Sequence, residues 1–182
     1  MRWCKYPKSV AKWDSVAYIR HKPVAEGTEW AIRWGGTGMF LGEYQHTLDA
    51  KGRLSLPAKF RAAMSGSIVV AKGLDQCLYV YSPEEHERFL GRLTERGDFD
   101  PRFRGVRRFF AAGASPTEFD SAGRIGIPSV LREYAHLERD VAVIGNGDRV
   151  EIWDAKAWAA YNSKTENEIE DVTRELAELG IL

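Results

Sequence analysis

Cysteine is nearly missing from this chain of 182 residues, with only Cys4 and Cys77 present. They lie far apart and form no Cys-x-x-Cys pair, so neither a disulfide framework nor a zinc site is supported. Net charge is missing too: 26 Lys and Arg balance 26 Asp and Glu, and no overall excess announces a polyanionic partner. No apolar run approaches membrane-spanning length, and the basic N-terminus has no apolar core of the kind a secretory signal requires. A cytoplasmic protein without a membrane partner is expected. Catalytic signatures are also absent. There is no Gly-x-Ser-x-Gly, no His-Glu-x-x-His and no Gly-x-x-x-x-Gly-Lys-Ser/Thr, and His21, His46, His86 and His136 share no motif with a nucleophile or carboxylate. Gly35-Gly-Thr-Gly38 lacks the strand-loop-helix context of a phosphate loop. We expect no enzyme, no cofactor, no metal and no small-molecule ligand.

What is present is a repeat. Asp49-Ala-Lys-Gly-Arg53 recurs as Asp120-Ser-Ala-Gly-Arg124, and the flanks recur with it. Leu54-Ser-Leu-Pro57 matches Ile125-Gly-Ile-Pro128, Phe60-Arg61 matches Leu131-Arg132, and Leu78-Tyr-Val-Tyr-Ser82 matches Val150-Glu-Ile-Trp-Asp154. Two copies of one strand-turn-strand-helix unit are therefore expected. In each, Asp can accept backbone N–H groups of the following residues, and Gly takes positive φ without steric cost. Arg53–Leu56 is expected to return as a strand beside Phe40–Leu48. A helix over 58–64 follows, then paired strands over 68–71 and 77–81. Ser82-Pro-Glu-Glu85 starts the next helix with a serine cap and a proline in the first turn.

This reading divides the chain into a first unit over 39–94, a helical connector over 95–116, a second unit over 117–161 and an acidic, weakly helical tail over 162–182. In the connector, a helix over 102–112 places Phe103, Val106 and Phe110 on one face. In the second unit, Gly145-Asn-Gly147 signals a tight turn and Asp154 a helix cap. Residues 1–38 look unlike the rest, holding four of the six tryptophans (Trp3, Trp13, Trp30 and Trp34). A disordered arm, a basic arm touching phosphates and a translated leader ahead of a true start at Met39 are all open; the leader is the favoured reading.

A single Asp-x-x-Gly-Arg is first of all a turn with an exposed arginine. Its duplication brings Arg53 and Arg124 to related positions, and arginine's planar fork suits phosphate oxygens and the guanine edge. Lys51 adds charge to the first copy, where the second has Ala122. Lys59, Arg61 and Arg132 either extend this basic surface or are solvated faces, the second reading being slightly preferred for each alone. Arg102–Arg108 reads better as a packing helix than as a nucleic-acid contact, and Tyr79, Tyr81 and Trp153 as core rather than base-stacking platforms.

Residues 39–161 resemble the MraZ family, through Met39-Phe-Leu-Gly42, the motif from Asp49 to Pro57, Asp120–Arg124 and Val150-Glu-Ile-Trp-Asp154. The resemblance implies an α+β fold of two tandem, pseudo-symmetric AbrB-like swapped-hairpin β-barrel units with peripheral helices. It implies ring-shaped homo-oligomers that bind double-stranded DNA at repeated boxes in the promoter of their own division and cell-wall operon, at the nucleoid. It also implies that Arg53 and Arg124 face DNA, and the DNA-binding residues expected with them are Asp49, Lys51 and Gly52 of the first turn and Asp120 and Gly123 of the second. The alternative is a protein-interaction module in which the arginines pair with acidic partners.

Overall fold

The computed structural model describes residues 39–64, 66–95 and 100–181. The expectations for residues 1–38, the helix stop at Ser65 and the break at 97–99 lie outside the described residues. The elements are β1 (Phe40–Thr47), β2 (Arg53–Ser55), α1 (Ala58–Ala63), β3 (Ser67–Lys72), β4 (Leu78–Tyr81), α2 (Pro83–Glu95) and α3 (Pro101–Ala112), followed by β5 (Ala114–Glu118), β6 (Arg124–Gly126), α4 (Ser129–Tyr134), β7 (Asp140–Gly147), β8 (Arg149–Asp154) and α5 (Ala155–Glu178). The fold is mixed α+β, and β5 to α5 repeat the order of β1 to α2.

Local chemistry places the boundaries. The Ser82 hydroxyl accepts the Glu85 N–H at the start of α2 (3.3 Å), and Asp154 accepts those of Lys156 and Ala157 at the start of α5. Asp100 caps α3 in the same way. Each satisfies a backbone donor that the first helical turn leaves open. Pro57 and Pro128 stand at the N-cap positions of α1 and α4, one position before the helices begin.

Pairing is where the two repeats merge. The main sheet is antiparallel with strand order β1-β7-β8-β4-β3-β5, and β2 pairs with β6 in a second, two-stranded sheet. Under exchange of the repeats, β1 for β5, β3 for β7 and β4 for β8, the six-stranded order reads the same from either edge. Each repeat's first strand therefore pairs with the other repeat's third strand. β1 does not return onto β2 as a ladder, as the alternation suggested; a single bridge, Leu48 to Leu54, joins them. Arg53–Ser55 instead lies against Arg124–Gly126, with Leu54 opposite Ile125.

One apolar core results. It takes Phe40, Leu54, Leu56, Phe60, Ile68 and Val80 from the first repeat and Ile125, Ile127, Leu131, Val141, Val150 and Ile152 from the second. Tyr79, Tyr81 and Trp153 belong to a smaller cluster with Phe110, so they are core as expected. All described residues fall in one compact unit.

Three boundaries differ from the sequence reading. β5 begins at Ala114, inside the expected connector, because Pro116 is tolerated on an edge strand where its missing N–H breaks no ladder. β7 runs through Gly145 and Asn146, and the turn falls on Gly147-Asp148, between the paired Asn146 and Arg149. Gly145 serves a different end: a Cβ there would lie 2.4 Å from the Leu41 backbone N, so glycine lets β1 approach. On α3, Phe110 is buried but Val106 is 43% exposed, so the expected three-residue apolar face is not fully covered. α5 continues unbroken past Tyr161 to Glu178.

Leu54 and Ile125 are both 0% exposed. Ile125→Ala is expected to cost about 2–5 kcal/mol through lost burial and a residual cavity. Denaturant unfolding checks this as a lower midpoint with an unchanged slope.

Candidate nucleic-acid interface

The two motif turns are built identically. Asp49 Oδ1 accepts the backbone N–H groups of Lys51 and Arg53, both at 2.9 Å. The Asp49 N–H donates to the Arg53 carbonyl and the Gly52 N–H to the Asp49 carbonyl, each at 2.9 Å. Gly52 sits at φ +73°, in the left-handed region where a Cβ is penalised. In the second turn, Asp120 Oδ1 accepts from Ala122 (2.9 Å) and Arg124 (3.0 Å), and Gly123 sits at φ +71°. The role expected for Asp and Gly in these turns is the one they hold.

The second carboxylate oxygen does something the spacing did not reveal. Asp49 Oδ2 accepts from Arg53 Nε at 2.7 Å and lies 2.7 Å from its Nη2. Asp120 Oδ2 holds Arg124 through Nε at 2.9 Å and Nη2 at 2.7 Å. Because β2 pairs with β6, the turns also meet each other. Arg53 Nη1 is 3.7 Å from Asp120 Oδ2, and Arg124 Nη1 is 3.8 Å from Asp49 Oδ2. Two arginines and two aspartates thus form a cross-braced cluster, and each arginine is 33% exposed. They are not free forks. Their aim is set before any partner arrives, which removes part of the roughly 2 kcal/mol of rotamer entropy such a side chain otherwise loses on binding.

The remaining cations sort by position. Lys51 is exposed at the first turn. Lys59 turns away and lies over the Tyr44 and Phe60 rings at 5.1 and 5.4 Å. Arg61 and Arg132 are not solvated faces, which corrects the sequence reading. Each guanidinium folds over the turn of the opposite repeat. A Cβ on Gly123 would lie 1.7 Å from Arg61 Nη1, and one on Gly52 would lie 2.6 Å from Arg132 Cζ. The sequence hint was the matched pair Phe60-Arg61 and Leu131-Arg132; the crossing between repeats was not visible in it. Among the described residues, no group of three or more His, Cys, Asp and Glu is placed to hold a metal ion, and no helix is long and apolar enough to cross a membrane.

The arginine hydrogen bonds hold the carboxyls of Asp49 and Asp120 down at about 2, against an ordinary 3.8. A carboxyl whose pKa is depressed by folding contributes stability that is full above its unfolded value and lost as pH falls through its folded one. The turns are therefore expected to stay ordered down to about pH 4 and to loosen between about pH 4 and 2. Amide resonances of Lys51, Arg53, Ala122 and Arg124 report this directly, and Asp49→Asn should abolish the transition at the first turn.

Comparison with known families matches residues 39–109 and, separately, 110–179 to the family described as "MraZ protein, putative antitoxin-like". The chain is 43% identical over 143 residues to a protein of Halothermothrix orenii named "Transcriptional regulator MraZ", covering 79% of this chain and 100% of that one. Proteins of the same name from Acetivibrio thermocellus and Alkaliphilus oremlandii are 46% and 45% identical over 143 residues, with the same coverage.

Proposed function

The chain belongs to the MraZ family, and on that premise we propose that it is a sequence-specific DNA-binding transcriptional regulator. It recognises repeated boxes in the promoter of its own division and cell-wall operon, in the cytoplasm at the nucleoid. It acts as a homo-oligomeric ring. The observation that carries this reading is the cross-braced pair of turns, which presents Arg53 and Arg124 side by side with their orientation already set. Arginine aimed in this way suits the O6 and N7 acceptors of guanine in the major groove.

The exchanged first strands and the mirrored sheet order support the swapped-hairpin arrangement that the family resemblance implies. Multivalency follows from charge. A chain of net charge +0 releases few counterions per subunit, whereas several subunits on adjacent boxes gain through effective concentration. The exposed Ile169 and Val172 on α5 support self-association.

The decisive assay compares DNA from upstream of the Met39 codon with scrambled DNA of equal length. Wild type is expected to prefer the native fragment. Arg53→Ala and Arg124→Ala are each expected to lose about 1–3 kcal/mol of discrimination while remaining folded. Equal binding by the variants returns the arginines to a purely structural role and favours the interaction-module reading. Oligomer and affinity are coupled, so dilution below the assembly threshold should weaken binding with both arginines intact. Sedimentation and binding measured over one concentration series check this; unchanged affinity in a verified monomer contradicts it.

A further inference from the structure

We propose that Arg61 and Arg132 are the phosphate anchors of this interface, each seated on the turn glycine of the opposite repeat. The proposal rests on the DNA-binding reading above and assigns the part of the site that reading leaves open, namely what holds the nucleic-acid backbone.

Charge separates the cations at the two turns. Arg53 and Arg124 are each neutralised by their own aspartate and touched by the other. They supply direction, but little net attraction for a polyanion. Among the described residues, no carboxylate pairs with Arg61 or Arg132. The cations left over at the two turns are therefore Arg61, Arg132 and Lys51, in a chain whose net charge is +0. Phosphate contacts position a protein on a duplex while base contacts specify sequence, and these three groups are the ones with charge to spare.

Geometry agrees. The Nε atoms of both arginines are buried and have no hydrogen-bond partner, so packing rather than hydrogen bonding confines the inner part of each guanidinium. What makes room for them is the absence of a side chain opposite. Arg61 Nη1 and Cζ lie 1.7 and 2.8 Å from where a Cβ of Gly123 would stand, and Arg132 Cζ and Nη1 lie 2.6 and 2.7 Å from that of Gly52. Glycine is thus required twice over in each motif, for its positive φ and for the space that the guanidinium occupies. A planar fork fixed beside a base-reading arginine can take a phosphate with two parallel N–H bonds, which a lysine cannot reproduce.

The test uses the full-length oligomer and the same two DNA fragments, with dissociation constants measured across a salt series. Arg61→Ala and Arg132→Ala are expected to weaken native and scrambled DNA by the same factor, leaving the preference ratio intact. Each should also lower the slope of log affinity against log salt by about one per engaged subunit. Arg61→Lys should keep the slope, and Arg61→Gln, which retains the stem, should reproduce the alanine result if alanine impairs folding. An unchanged slope in the charge-removing variants overturns the proposal. So does a collapsed preference ratio like that expected of Arg124→Ala, which would make Arg61 only a prop for the Gly123 turn. If wild type itself shows no preference for the native fragment, the regulator reading falls first, and that outcome is told apart by wild type alone.

Discussion

The short ladder between β2 and β6 is the constraint on which the rest of this molecule depends. It spans only Arg53–Ser55 and Arg124–Gly126, yet it joins the two halves at their motifs. Leu54 and Ile125, opposite one another within it, are both fully buried. Burying them fixes the faces of both strands, because a one-residue slip would turn the apolar side chains outward. With that register set, the two turns can only arrive side by side, and the arginine that follows each must emerge next to the aspartate of the other.

From that proximity comes the electrostatic character of the site. Carboxylates beside arginines look at first like a poor choice for meeting a polyanion, since they cancel charge. They do something else here. Each aspartate spends one oxygen on closing its turn and the other on holding a guanidinium, so backbone shape and side-chain aim are determined by one group. Electrostatic complementarity of this kind favours specificity and register over raw attraction.

The repeats are similar without being equivalent. The first turn carries Lys51 where the second has Ala122. The first repeat's closing helix, α2, is followed by α3, which contributes Phe110 to the smaller cluster. The second repeat ends in the long α5, whose outer apolar residues Ile169 and Val172 stay exposed. Pseudo-symmetry is thus strictest at the motif turns, where exposure of the paired arginines and aspartates is nearly identical, and it relaxes toward the peripheral helices.

Much was legible in the chain itself. The doubled Asp-x-x-Gly-Arg, the helix caps at Ser82 and Asp154 and the buried strand aromatics are decided by neighbours a few residues apart, and such short-range chemistry survives in any fold. The sequence therefore determined the turns, the helix starts, the repeat and, through its motifs, the family. Tertiary structure decided which strand pairs with which, because alternation specifies a face and leaves the partner open. β1 looks equally able to pair with β2 or β7. It likewise decided that Arg61 and Arg132 become half-buried and cross to the opposite repeat's glycines. A helix position next to a buried Phe60 or Leu131 has no local reason to be anything but exposed, and only the meeting of two distant turns creates the space that each guanidinium fills.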